Sequence, residues 1–194
     1  MSNKQIVTFE LKLEYTPLEL LARLAPDQEK IVSILNTYKS KFDEMVIINT
    51  DGQLTFYIYT DNYSPLVQLL EAHDIAPKHF ILLDNSKESV RHFYEFVGKL
   101  GSTIRAEKTL LKCLKRAYET AESVGSLGNV LEPLLRNGIK TYQLIRKESV
   151  LGKISMTLVS RALDVFSRQF IKKSMSTMTS SHEMNNTENI ERHR

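Results

Sequence analysis

Residue 84 divides this chain by hydropathy period: strand and helix patterns alternate before it, and every apolar pattern after it is helical. From Ile6 to Tyr15, Val7, Phe9, Leu11 and Leu13 alternate with Thr8, Glu10, Lys12 and Glu14, as in a strand with one buried face. Thr16-Pro17 opens helical spacing at Leu18, Leu21 and Leu24. Pro26 interrupts it, and Asp27 caps a second run carrying Ile31, Ile34, Leu35, Tyr38 and Phe42. Met45 to Asn49 and Gln53 to Thr60 are β-rich runs joined across Asp51-Gly52, a hairpin signal. Ser64-Pro65 starts a helix with Leu66, Leu69 and Leu70, and His79 to Leu83 is an apolar run of strand length. The order βαββαβ predicts an α+β fold built on a ferredoxin-like unit, a four-stranded antiparallel sheet with two helices on one face.

Beyond it, Asn85 and Glu88 have capping-box spacing. Apolar stripes follow at Val90, Phe93, Tyr94, Val97 and Leu100, then at Ile104, Leu111, Leu114, Tyr118 and Ala121. Two more run through Leu131, Leu134, Leu135, Tyr142 and Ile145, and through Leu151, Ile154, Leu158, Ala162, Phe166 and Phe170. Each stripe is one-sided, so about four α-helices must bury a face on or beside the sheet. The outer face of the Gln53 to Thr60 strand carries Tyr57 and Tyr59, which favours helices lying across it. After Lys173 the periodicity is lost. Three segments are therefore expected: 1–84, an acidic α+β unit; 85–173, a basic helical region; and 174–194, a disordered tail.

The chain's net charge of +3 conceals a sorting along its length. Residues 1–90 carry eight Lys/Arg against thirteen Asp/Glu, and residues 91–173 carry sixteen against seven. At 100° per residue Arg105, Lys108, Lys112, Lys115 and Arg116 share an arc of about 100°. Arg161, Arg168 and Lys172 continue the theme on the last helix. Such a face suits an anionic partner, although a solvated helix face carries the same residues and Glu119 interrupts the stripe. Tyr57 and Tyr59 form a second candidate contact surface. An aromatic sheet face stacks bases in RNA-recognition motifs, but Asp51, Glu10 and Glu14 stand where that motif needs basic character.

Local motifs for chemistry are missing. No G-x-x-x-x-G-K-[ST] or G-x-G-x-x-G occurs. His73, His79 and His92 lack the spacing of a zinc pair, and the single cysteine, Cys113, has no thiol partner. Asp84, at a strand end, suits capping better than metal or phosphoacceptor work. The expectation is no catalytic residue, no metal and no cofactor. No apolar run resembles a secretory signal or reaches the ~18–20 residues of a spanning helix, which points to the cytoplasm. The function read from these features is a non-enzymatic adaptor or regulatory protein whose basic C-terminal helices engage an acidic protein surface. Nucleic-acid binding by the same helices and attachment to an anionic membrane surface are the alternatives, and no small-molecule substrate is identified.

Overall fold

The computed structural model describes residues 4–25, 27–50, 52–101 and 107–150. Its elements are β1 (Gln5–Lys12), α1 (Leu18–Leu24), α2 (Gln28–Tyr38), β2 (Glu44–Thr50), β3 (Gln53–Thr60), α3 (Ser64–Ala72), a 3₁₀ turn (Pro77–His79), β4 (Ile81–Leu83), α4 (Ser86–Gly101), α5 (Glu107–Ser123) and α6 (Leu131–Val150). The strands form one antiparallel sheet in the order β2-β3-β1-β4. All these elements fall in one unit, Met1–Ile154. The expected fourth C-terminal helix and the tail lie outside the described residues.

Two strands are shorter than their apolar patterns. β1 stops at Lys12, which pairs with Gln53, the first residue of β3, so the ladder has no partner strand beyond it. Only Leu13 still bonds across, to the carbonyl of Gly52, before Thr16 N–H folds back onto Lys12 O at 2.7 Å. β4 loses its first two residues because Pro77, lacking an N–H, opens a 3₁₀ turn that runs to His79.

The two sheet faces are buried differently. Phe9 stands opposite Phe56, which stands opposite Ile47, and these share an apolar face. There Phe9 packs on Tyr63, at the head of α3, and on Phe80, while Ile31 of α2 and Ile47 line one small cavity. The other face carries Thr8, Glu10 and Lys12 opposite Tyr57, Thr55 and Gln53. α4 covers part of it, with Phe93 edge-on to Tyr57 at 5.5 Å between centroids. α6 packs on α4 so closely that a Cβ on Gly138 would run into the Phe93 ring.

α5 lies along the edge strand β2 and buries Leu110, Leu114, Ala117 and Ala121. The turn after it is tied to that edge: Met45 N–H donates to Ser126 O at 2.8 Å, and Ser126 Oγ returns a bond to Met45 O at 2.8 Å. Next to this joint the buried Glu44 accepts from Val130 N–H at 2.9 Å and Leu131 N–H at 2.6 Å. The carboxylate thus satisfies two orphan donors at the start of α6, where the helix dipole favours negative charge. Gly128 is required by this approach, since a Cβ there would stand 2.7 Å from a Glu44 oxygen.

Candidate functional site

The polar half of β1 becomes a site because α4 docks on it. Asn85 caps α4, accepting from Glu88 N–H at 2.9 Å and donating to the Glu88 carboxylate at 2.8 Å. The first turn then grips Ile6 from both sides: Ile6 N–H donates to Ser86 Oγ at 2.8 Å, and Ser89 Oγ donates to Ile6 O at 3.0 Å. One turn further, on the same side of the helix, His92 arrives over Glu10.

Glu10 is 2% exposed and takes a donor at every lone pair. Its Oε1 accepts from His92 Nε2 at 2.6 Å and Gln53 Nε2 at 2.7 Å. Its Oε2 accepts from Lys12 Nζ at 2.7 Å and the Tyr15 hydroxyl at 3.0 Å. Burial alone would raise the Glu10 carboxyl. The hydrogen bonds and charges of His92 and Lys12 outweigh it and hold the group down at about 2. The charge acts in turn on two phenols. Burial first, and Glu10 second, push the Tyr57 and Tyr15 hydroxyls up, so both stay protonated.

Glu10 can only accept, so Nε2 of His92 carries a hydrogen, and Nδ1 on the other side of the ring is hydrogen-bonded to the Tyr57 hydroxyl at 2.9 Å. Tyr57, His92 and Glu10 form a continuous hydrogen-bonded chain from the core to the partly exposed Lys12. A buried carboxylate that orients an imidazole is a recurrent device of acid–base sites. Thr8 Oγ1, buried on the same face, has no partner among the described residues.

The residues singled out from sequence lie elsewhere. Lys112, Lys115 and Arg116 are exposed on α5 and take no part in the Glu10 hydrogen bonds. Arg116 lines a cavity of about 140 Å³ with Cys113, Asn49 and Asp27. Arg105, Arg161, Arg168, Lys172 and the side chain of Lys108 fall outside the described residues. Tyr57 is buried under α4 and Tyr59 is half-buried, so the aromatic pair is not an open platform. Asp84 is exposed and the cap next to it is Asn85. Among the described residues no three His, Cys, Asp or Glu side chains are placed to hold a metal, and no helix is long and apolar enough to cross a membrane.

Sequence reasoning weighed Glu10 only as an obstacle to RNA and His92 only as a failed zinc ligand. The signal that pointed to both was a strand with Thr8, Glu10 and Lys12 on one face, in a chain whose later helices needed a surface to cover.

The family model for the glutamyl-tRNAGlu reductase N-terminal domain matches residues 10–149, which hold every member of this cluster. The chain belongs to that family. Glutamyl-tRNA reductases of Caldicellulosiruptor saccharolyticus and Methanosarcina mazei are 25% and 27% identical to it over 150 and 131 residues. These matches cover 75% and 67% of this chain but 36% and 29% of the relatives. The solved glutamyl-tRNA reductase from Methanopyrus kandleri has the same fold at a TM-score of 0.57 and 19% identity, over 76% of this chain and 35% of that one. The chain therefore spans about a third of the length of these relatives.

Membership in the glutamyl-tRNAGlu reductase N-terminal domain family corrects the function read from sequence. The adaptor reading, its nucleic-acid and membrane alternatives, the acidic protein partner and the absence of enzymatic character are all overturned by these relatives, which are named as enzymes acting on glutamyl-tRNA. The physical reason is that the cluster's residues come from β1, the turn after it, β3 and α4, and leave no local motif. Lys112, Lys115 and Arg116 lie on the solvent side of a covering helix.

Proposed function

We propose that this chain receives glutamyl-tRNA in the manner of a glutamyl-tRNA reductase N-terminal domain, and that the Glu10–His92 cluster is where the glutamyl ester is held. The observation that carries the reading is the buried carboxylate of Glu10 gathering His92, Lys12, Tyr15 and Gln53 around one point, inside the span the family model matches. Reduction of an aminoacyl ester needs a hydride, and the departing ribose oxygen needs a proton. The hydrogen-bonded chain Glu10–His92–Tyr57 is the cluster's path for moving that proton, with Glu10 fixing the imidazole ring. We also infer the ferredoxin-like class for the first 84 residues. The order β2-β3-β1-β4, antiparallel throughout, with α2 following β1 and α3 following β3, supports it.

The test is a binding titration of the full chain with glutamyl-tRNA and with the same tRNA uncharged. The charged form should bind roughly tenfold more tightly, and Glu10→Gln should erase the difference. Equal affinity of the native chain for both forms sinks the reading.

A further inference from the structure

We propose that the cavity between α2, β2 and α5 is a second binding site, one that takes a small zwitterion of the amino-acid type. It lies on the opposite face of the sheet from Glu10, since Ile47 lines it and shares its face with Phe56 and Phe9. Its volume is about 140 Å³. An engineered cavity of about 150 Å³ holds benzene, so a molecule of about six non-hydrogen atoms fits.

The lining is of two kinds. Ile31, Ile47 and Ala117 are buried and give it an apolar part. Around them stand polar groups with capacity left over. Gln28 Nε2 donates to Thr120 Oγ1 at 2.5 Å, which ties α2 to α5 and leaves the Gln28 carbonyl oxygen for a further donor. Asp27 commits Oδ1 to the Lys30 N–H at 2.9 Å as the cap of α2, and its Oδ2 has no donor among the described residues. Arg116, exposed on α5, makes no ion pair or hydrogen bond with any described residue. A carboxylate and a guanidinium thus line one small cavity without pairing with each other.

That combination selects a ligand class. A simple anion would answer Arg116 and be repelled by Asp27, and a simple cation would meet the reverse. A molecule bearing both a carboxylate and an ammonium gives each side chain a charge-assisted bond. A short aliphatic group on the same molecule suits Ile31, Ile47 and Ala117.

The experiment titrates the full chain calorimetrically with L-alanine, L-lactate and L-alaninamide. Lactate replaces the ammonium by a hydroxyl and alaninamide replaces the carboxylate by an amide, with size unchanged. L-Alanine should bind with a Kd of about 0.1 to 1 mM, and each analogue at least roughly tenfold more weakly. Cys113, the chain's only cysteine, lines the cavity, so saturating L-alanine should also slow its alkylation by iodoacetamide. Arg116→Gln and Asp27→Asn should each weaken L-alanine roughly tenfold or more. Asparagine caps a helix as well as aspartate does, so the second variant keeps α2 intact, which thermal denaturation checks. Equal binding of lactate would mean an anion site without Asp27, and equal binding of alaninamide a cation site without Arg116; either overturns the proposal. So does binding of L-alanine that leaves Cys113 alkylation unchanged, since the ligand would then sit elsewhere. An absence of saturable binding by the native chain overturns it outright, whatever the variants do, and leaves the Glu10–His92 reading untouched.

Discussion

Two glutamates in the same sheet are almost completely withdrawn from water and are used in opposite ways. Glu44, on the edge strand β2, is 6% exposed and is answered by backbone N–H groups of Val130 and Leu131. Glu10, on the central strand β1, is 2% exposed and is answered by side chains: an imidazole, an ammonium, an amide and a phenol. Backbone donors are held by the helix they begin, so Glu44 joins β2 to α6. Side-chain donors can exchange protons or share themselves with a ligand, so the Glu10 cluster keeps chemical capacity after folding. The lesson is that burial alone does not mark a functional carboxylate; the identity of its donors does.

The comparison breaks most visibly at the structural member. Glu44→Ala leaves two helix-start N–H groups without partners and removes a charged acceptor, which should cost about 4 kcal/mol. Urea denaturation at neutral pH measures it, and a loss under about 1 kcal/mol would mean that water replaces the carboxylate and the joint is not structural.

Glu10→Gln should cost somewhat less and should depend on pH. The folded Glu10 carboxyl sits at about 2 against an ordinary 4.5, so its contribution is fully present above pH 4.5 and is lost as pH falls towards 2. Native chain and variant should therefore differ by about 3 kcal/mol near pH 6 and converge only as pH approaches 2. A gap that stays constant across this range would show that Glu10 is not the titrating group.

Gly138→Ala sharpens the contrast by disturbing the helix pair that carries His92 without touching either glutamate. Its Cβ would overlap the Phe93 ring, which is buried and cannot swing into solvent, so about 2 kcal/mol should be lost. If Glu10 organises the cluster locally, glutamyl-tRNA affinity should fall far less than in Glu10→Gln, as titration would show.

The smallest effect belongs to the basic arc. Lys112 and Lys115 are exposed, and changing both to Glu should move stability by no more than about 1 kcal/mol in all. A larger loss in denaturation would mean that these cations are tied into the fold after all.

Local spacing was enough to place much of this molecule. Period-2 alternation located β1 and β3, capping residues located α2 and α4 through Asp27 and Asn85, and one-sided stripes located α4, α5 and α6. These features depend on neighbours within a turn or a hairpin, which is the range that apolar periodicity and capping report. The ends of β1 and β4 were less legible, because a strand is only as long as the partner that hydrogen-bonds to it. The site itself was illegible for a related reason. By its alternation Glu10 belongs on a solvent face, and nothing near it in sequence says otherwise. It became a buried, saturated carboxylate because α4 docked on that face and delivered His92 from 82 positions away, while the sheet register delivered Gln53 from 43. Glu44 met α6 across 86 positions in the same way. The sequence by itself determined where strands and helices form. Only the tertiary structure decided which polar side chains would lose water together, because desolvation and charge pairing depend on distances in space that no local pattern encodes.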